Sequence, residues 1–255
     1  MDKRLTFNED AANYDKWRPA YCAELFRDII AYSRIGQGGK VIEIGIGTGQ
    51  ATRPFLETGC ELAAIELGAD LAEYSQLKFR EHKNFRVHNT TFEEFTGPDD
   101  SVDLIYSATA FHWIPEDVGY PKVRELLKKG GTVALFWNRP FAAREDDELH
   151  QHIQRIYQQY RPSNTKLIEH DTEKYQAISQ NLRTYGFKDI QFKLYHLTRS
   201  FSSADYIALL NTYSDHRSMP SAVKEPFEDE IRAAIMKSGD VLTIYDTIDL
   251  HLGRK

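Results

Sequence analysis

From Lys40 onward, short apolar runs alternate with amphipathic segments, and this alternation limits the possible folds more than any other feature of the chain. The runs typical of strands are residues 41–44, 62–65, 85–88, 102–106 and 132–137. The intervening stretches that begin near Gln50, Asp70 and Pro121 have helical features, and glycines interrupt them. Such a pattern predicts an α/β fold: a parallel sheet with right-handed crossovers, covered by helices on both faces.

The segments on either side of this alternation have different patterns. Before it, apolar residues between Cys22 and Ile30 recur at helical spacing. After Asn138, helices are predicted at residues 146–160, 172–185, 204–213 and 222–237, and strands at 190–197 and 241–250. Because the last strand follows helices and no tight crossover precedes it, we expect it to add antiparallel to the edge of the sheet.

Composition excludes several classes of protein. The formal net charge is −6, so we expect no general attraction for nucleic acid or anionic lipid. Lys128 and Lys129 are interpreted as the cationic last turn of a helix. Two cysteines, Cys22 and Cys60, are too few for a disulfide framework or a zinc site. No run is apolar for the roughly 20 residues that a membrane span needs, so a cytoplasmic protein is expected.

A glycine-rich turn follows the first predicted strand at Gly45, Gly47 and Gly49. Glycine is favoured where a strand turns sharply into a helix and where the backbone must come close to a ligand. The new helix presents free N–H groups to a carboxylate or phosphate. At the end of the second strand stands Glu66, and an acid there can accept hydrogen bonds from both hydroxyls of a ribose. Together these features predict a bound adenosine-type nucleotide.

The details of the turn narrow the choice of nucleotide. The dinucleotide pattern Gly-x-Gly-x-x-Gly/Ala fails, because Gln50 occupies its last position when Gly45 is the first. Counting from Gly47 places Thr52 there instead. No Lys followed by Ser or Thr completes the turn, which excludes a P-loop.

Glu43-x-Gly45-x-Gly47-x-Gly49 resembles the first motif of class I methyltransferases that use S-adenosylmethionine (SAM), and Glu66 resembles their ribose-binding acid. Residues 90–95 are similar to the loop that brackets adenine, and residues 126–132 to the turn into the fifth strand. Residues 102–114 resemble the fourth-strand motif of the type 11 subgroup. The lead-in with Tyr14, Arg18 and Pro19 resembles that of trans-aconitate-methyltransferase-like members.

This resemblance implies a Rossmann-like mixed sheet of seven strands with helices on both faces and an antiparallel last strand. It implies one methyltransferase domain over residues 1–255. A helical cap would occupy residues 1–39 and the cofactor-binding core residues 40–138. Residues 139–255 would form a C-terminal half whose inserted helices cover the substrate site before the final strands. Asp103 is expected to be structural and to help hold the glycine loop.

The resemblance also implies which residues bind SAM. Phe92 would pack on adenine, unless it is simply part of the core, and small residues at Ser107 and Ala108 would leave room for the methionine moiety. Arg18 would pair with the cofactor carboxylate, unless it is a surface cation. The full predicted set is Tyr14, Arg18, Glu43, Gly45, Gly47, Thr48, Gly49, Gln50, Glu66, Leu67, Thr91, Phe92, Ser107 and Ala108.

His112 is the candidate catalytic residue, because an imidazole titrates near neutrality and can act as a general base. It can equally be a hydrogen-bonded structural residue or part of a lid. Candidate substrate residues are Trp113, Trp137, Arg139, Tyr213, His216 and Arg217. Among them, Arg139 and Arg217 would be available for an anionic acceptor.

The predicted function is methyl transfer from SAM to a small-molecule acceptor, such as a carboxylate or hydroxyl, with no nucleic-acid or membrane partner and no metal. Two alternatives remain open at the level of sequence. An NAD(P)-dependent oxidoreductase would share the sheet and Glu66, and a non-catalytic SAM-binding module would share the whole cofactor site.

Overall fold

A computed structural model describes residues 15–18, 20–164, 167–169 and 172–255. Within these residues the chain forms a seven-stranded mixed sheet with the strand order β3-β2-β1-β4-β5-β7-β6. The strands are β1 Lys40–Ile44, β2 Glu61–Glu66, β3 Phe85–Asn89, β4 Val102–Ala108, β5 Leu127–Phe141, β6 Lys188–Phe201 and β7 Leu242–Arg254. Strands β1 to β5 are mutually parallel. The predicted α/β class and seven-stranded sheet are confirmed.

Helices precede, connect and follow these strands. They are α1 Ala23–Ser33, α2 Arg53–Leu56, α3 Ala69–Lys78, α4 Glu116–Leu126, α5 Glu148–Tyr160, α6 Thr172–Thr184, α7 Ser203–Leu210, α8 Ser214–Arg217 and α9 Ser221–Lys237. Side-chain caps start two of them: Asp147 accepts from the His150 N–H, and Ser202 accepts from the Asp205 N–H. None of the described helices combines the length and apolar character needed to cross a bilayer.

The position of β7 differs from the sequence prediction. Its antiparallel direction is confirmed, but it lies between β5 and β6 instead of at the edge. Most β7 side chains are buried, whereas most side chains of β6 are exposed or half-buried. A strand that is buried on both faces gains more from an interior position, and the more polar β6 therefore forms the edge.

Apolar side chains pack on both faces of the sheet. On one face, α1 and α2 cover Val41, Tyr106 and Phe136. On the other, α4 and α6 cover Ile42, Ile105 and Leu135. A third cluster joins α5, α7 and α9 to the beginning of β7. It anchors the helical part of the C-terminal half, which carries Tyr213 to the carboxyl edge of the sheet.

Two further expectations are corrected at the opposite edge. Helix α4 ends at Leu126, so Lys128 and Lys129 lie in β5 and not in a last helical turn. The Lys128 ammonium donates to both oxygens of Asp103, at 2.7 and 2.8 Å, and the Lys40 N–H donates to the same carboxylate at 2.8 Å. Asp103 therefore fastens the amino ends of β1 and β5 and does not hold the glycine loop, which follows the carboxyl end of β1.

Candidate functional site

A cavity of about 300 Å³ lies at the carboxyl ends of the parallel strands. It sits where the strand order turns from β1 toward β2 on one side and toward β4 on the other, the usual ligand position in open α/β sheets. Its wall comes from segments far apart in sequence: residues 43–47, 50–51, 65–67, 90–93, 108–110, 112–114, together with Arg18, Tyr21, Leu71, Asn138, Pro140, Tyr213 and Asp215.

The three glycines of the loop after β1 all have left-handed backbone conformations, with φ of 71° at Gly45, 56° at Gly47 and 81° at Gly49. A Cβ at Gly45 would come within 2.5 Å of the Ala110 Cβ, and one at Gly49 within 2.3 Å of the Phe79 ring. Gly45 and Gly47 line the cavity, but Gly49 does not. Packing inside the protein therefore accounts for Gly49, whereas the sequence suggested close approach to a ligand.

The Glu66 carboxylate lies at the end of β2 and is only 9% exposed as a residue. Its two oxygens accept from the N–H groups of Gly47 and Gly68, each at 2.9 Å. Burial raises the pKa of Glu66, and these N–H donors oppose the shift. Each carboxylate oxygen can accept more than one hydrogen bond, so Glu66 can still receive two neighbouring hydroxyls of a ligand.

Glu43, at the end of β1, is the second acid of the cavity wall. The Thr52 hydroxyl donates to it at 2.7 Å. Complete burial raises the pKa of Glu43 to about 8, and the negative charge of Glu66 adds to the effect. Glu43 is therefore mostly neutral at pH 7.

Apolar residues form the wall beyond Glu66. Phe92 is buried in the same cluster as Ile44, Ile65 and Ile114, and all four line the cavity. Thr91, Leu67 and Leu71 complete this part of the wall. An apolar slot beside a carboxylate suits a flat base joined to a sugar.

The segment before α1 is tied to the glycine loop through Asp15. Asp15 accepts from the Lys78 ammonium at 2.6 Å and from the Tyr74 hydroxyl at 3.0 Å, and Lys78 also donates to the Thr48 carbonyl at 2.9 Å. Three residues further on, Arg18 lines the cavity and donates to the Thr212 carbonyl at 2.9 Å. Tyr14, predicted as a cofactor residue, lies outside the described residues.

At the far end of the cavity, Thr109 joins three segments. It has a φ of 55°, unusual for a β-branched residue, and its hydroxyl lies 2.8 Å from the Tyr21 hydroxyl and accepts from the Asn138 N–H at 3.2 Å. Asn138 is 8% exposed, and neither atom of its carboxamide has a hydrogen-bond partner among the described residues. A buried, unpaired amide costs free energy, and it is often found where a ligand binds.

His112 also lines the cavity, beside Trp113. The Trp137 indole N–H donates to His112 Nδ1 at 3.0 Å. Burial lowers the pKa of His112, and the positive charges of Arg139 and Lys174 lower it further.

Arg139 does not line the cavity, contrary to the prediction. Its guanidinium binds both oxygens of the fully buried Asp249, at 2.6 and 3.1 Å. His216 lies behind Tyr213, where it accepts from Arg161 at 3.0 Å, and burial lowers its pKa to about 4.

The structure brings most, but not all, of the predicted site residues together. Those that line the cavity are Arg18, Glu43, Gly45, Gly47, Gln50, Glu66, Leu67, Thr91, Phe92, Ala108, His112, Trp113 and Tyr213. Those outside its wall are Thr48, Gly49, Ser107, Trp137, Arg139, His216 and Arg217. Ser107 points away because its hydroxyl donates to the Ile44 carbonyl at 3.0 Å.

Sequence reasoning missed several lining residues, including Leu71, Pro140 and Asp215. Leu71 lies in the first turn of α3, directly after the Glu66 strand end, and this position was a usable signal. Asp215 lies between two predicted residues, but nothing in its local sequence marks it as part of the cavity.

Comparisons with known proteins agree with this geometry. Residues 41–131 match the model of a methyltransferase domain. An uncharacterized methyltransferase of Schizosaccharomyces pombe is 23% identical over 229 residues, which cover 89% of this chain and 85% of that protein. A probable S-adenosylmethionine-dependent methyltransferase of Saccharomyces cerevisiae is 29% identical over 137 residues, which cover 52% of this chain and 46% of that one.

Among solved structures, one assigned as a type II methyltransferase from Anaeromyxobacter dehalogenans superimposes with a TM-score of 0.66. The match covers 93% of this chain and 97% of that one, at 20% sequence identity. This likeness supports the fold alone.

Proposed function

We propose that this SAM-dependent methyltransferase transfers the methyl group to a small-molecule acceptor, on a carboxylate, hydroxyl or similar group. The assignment as a methyltransferase rests on its methyltransferase domain and its methyltransferase relatives. One observation carries the proposal. A single cavity runs from the buried Glu66 carboxylate, at the end of β2, to the unpaired Asn138 carboxamide, at the carboxyl side of β5.

The residues at the Glu66 end fit the cofactor. Glu66 keeps lone pairs for ribose hydroxyls, because backbone N–H groups are its donors among the described residues and each carboxylate oxygen can accept more than one hydrogen bond. The apolar wall around Phe92 suits the adenine ring. Gly45, Ala108 and Arg18 would border the methionine moiety, and the Arg18 guanidinium would donate to its carboxylate.

The cofactor supplies an electrophilic methyl group on its sulfonium, so the protein need not create a reactive species. The chain's own task is to hold the acceptor in line with that methyl and to exclude water. Ala108 and Ala110 leave space near the backbone, while Tyr21, Thr109, Asn138 and His112 supply polar groups at the same end.

Several observations favour a small acceptor. The cavity, at about 300 Å³, lies at the small end of the range for ligand sites. The net charge of −6 does not favour a nucleic-acid partner. The same proposal includes membership of the type 11 subgroup and the division of the chain at residues 39 and 138. It also includes a cytosolic location, which the two unpaired cysteines suggest.

Calorimetric titration with S-adenosylhomocysteine (SAH) tests the cofactor site. Glu66→Ala should weaken SAH binding by about 1–3 kcal/mol, or about 5- to 150-fold, because the ribose loses its acceptor. Asp103→Ala, an acid at the opposite edge of the sheet, serves as the control and should bind as the wild type does. Unchanged affinity in Glu66→Ala would remove this residue from the site.

The two alternative functions predict other outcomes. Binding of NAD without any response to SAH would favour an oxidoreductase. Tight SAH binding without transfer of a labelled methyl group to any member of a panel of carboxylic acids, phenols and amines would favour a non-catalytic module.

A further inference from the structure

We propose that Trp137 is a positioning residue that holds His112 as its neutral Nε2–H tautomer, so that His112 presents a hydrogen-bond donor to the cavity instead of a base. The proposal rests on the proposed function, since it defines what His112 can do for the methyl acceptor. It replaces the general-base role suggested by the residue type alone.

The direction of one hydrogen bond fixes the tautomer. An indole N–H can only donate, and Trp137 Nε1 lies 3.0 Å from His112 Nδ1. Nδ1 must therefore be the unprotonated nitrogen, and the proton of the neutral ring is on Nε2. A doubly protonated ring would place two N–H groups against each other, so protonation of His112 would break this bond.

The Trp137 indole is itself held in place. Trp137 is only 7% exposed, and its ring packs edge-on against His251 at 6.1 Å between centroids. Next to it, Asp249 binds Arg139 and also lies 3.1 Å from His251 Nε2. A packed indole beside a fixed ion pair cannot rotate away to release His112.

The charges around His112 also favour the neutral form of its ring. Arg139 and Lys174 both oppose a positive imidazole and, together with burial, lower the pKa of His112. The buried acid Asp249, opposite Trp137 on β7, already binds Arg139 and His251. His112 is therefore protonated less readily than a free imidazole, with Nε2 as the ring nitrogen left for a ligand.

This arrangement narrows the class of acceptor. An Nε2–H donor stabilises a lone pair or a negative charge, but it cannot remove a proton from a hydroxyl. His112 therefore favours an acceptor atom that needs no deprotonation by it, such as an uncharged amine or an already ionised oxygen or sulfur. A neutral alcohol would receive no activation from His112.

Long-range ¹H–¹⁵N spectra of the full chain, labelled in its histidine rings, test the proposal directly. His112→Gln assigns the signals of His112. The wild type should show the Nε2–H tautomer at neutral pH. In Trp137→Phe, Nδ1 loses its donor, so a measurable share of the Nδ1–H tautomer should appear and the pKa should rise, because protonation of Nδ1 no longer breaks a bond.

Trp113→Phe is the matched control, because it changes the other indole beside His112, 5.1 Å away between ring centroids, and keeps the Trp137 bond. Its His112 signals should match those of the wild type.

A wild-type ring protonated on Nδ1, or the same tautomer and pKa in Trp137→Phe as in the wild type, would overturn the proposal. If Trp137→Phe does not fold, the minor tautomer of the wild type decides: a fixed ring should show no Nδ1–H form, whereas a free imidazole exchanges between both, and a detectable Nδ1–H share would overturn the proposal. The spectra are recorded without cofactor, and an SAH titration of the same samples reports separately on the proposed function.

Discussion

Glu43 and Glu66, at one end of the cavity, both accept hydrogen bonds from the protein, whereas the Asn138 carboxamide at the other end has no partner among the described residues. The first end is built from two neighbouring strand ends and one loop. The second collects Tyr21, Thr109 and Asn138, which are far apart in sequence.

This difference indicates how the two ends recognise their ligands. Groups that already have protein partners are held rigidly, so the Glu66 end is preorganised for one constant molecule. An unpaired amide instead keeps both its donor and its acceptor for whatever binds there. Its unfavourable burial is offset only when a ligand supplies the missing bonds.

The largest expected effect concerns the pH dependence of stability at Glu43. Its pKa is raised from 4.5 to about 8, so the native state holds a proton that the unfolded state releases, and stability falls as pH rises through that window. Glu43→Gln keeps a group that can accept from Thr52 but cannot ionise. The variant should therefore lack this pH-dependent fall in the free energy of unfolding, which is on the order of several kcal/mol. Urea unfolding across the window measures it.

Glu73→Gln, an exposed acid on α3, provides the control and should parallel the wild type. Parallel curves for the wild type and Glu43→Gln would show that Glu43 is ionised when buried and would contradict its raised pKa.

The next largest effect concerns the glycine loop. Gly49→Ala should lower the free energy of unfolding by about 2–4 kcal/mol, because Ala would be strained at positive φ and its Cβ would overlap the Phe79 ring. Gly38→Ala, with a φ of 74° and nothing within 4 Å of its Cβ, should lose only about 1–2 kcal/mol. Thermal and urea unfolding compare the two variants. Equal losses of unfolding free energy in the two variants would mean that the Phe79 ring adds nothing to the cost of a Cβ at position 49.

The smallest effect is expected at Asn138. Asn138→Leu has a similar volume and removes the unpaired amide, so the free energy of unfolding should stay constant or rise by up to about 1 kcal/mol, with unchanged SAH affinity and impaired methyl transfer.

Asn89, at the Glu66 end, provides the comparison: it is exposed, and its amide donates to the carbonyls of Glu66 and Leu67 at 2.9 and 3.0 Å. Asn89→Leu should destabilise the protein by about 1 kcal/mol. A larger loss of unfolding free energy in Asn138→Leu than in Asn89→Leu would contradict the contrast between the Glu66 end and the Asn138 end of the cavity.

Local sequence was enough to predict the strands from β1 to β5, the turn at Gly45 and Gly47, and the acid at Glu66. Each of these follows from residues close together along the chain, where apolar periodicity and glycine conformation act over a few positions. For Gly49, the turn conformation was predictable, but the second constraint was not, because the Phe79 ring that its Cβ would meet is thirty positions away.

The tertiary structure alone decided which side chains are paired. Placing β7 beside β5 sets Trp137 opposite Asp249, and this register brings the Asp249 carboxylate to Arg139 on the same face. The wrong edge position for β7 and the wrong role for Arg139 therefore have one cause. Periodicity determines that a segment is a strand, but its neighbours depend on how completely each face can be buried, and that depends on the whole chain.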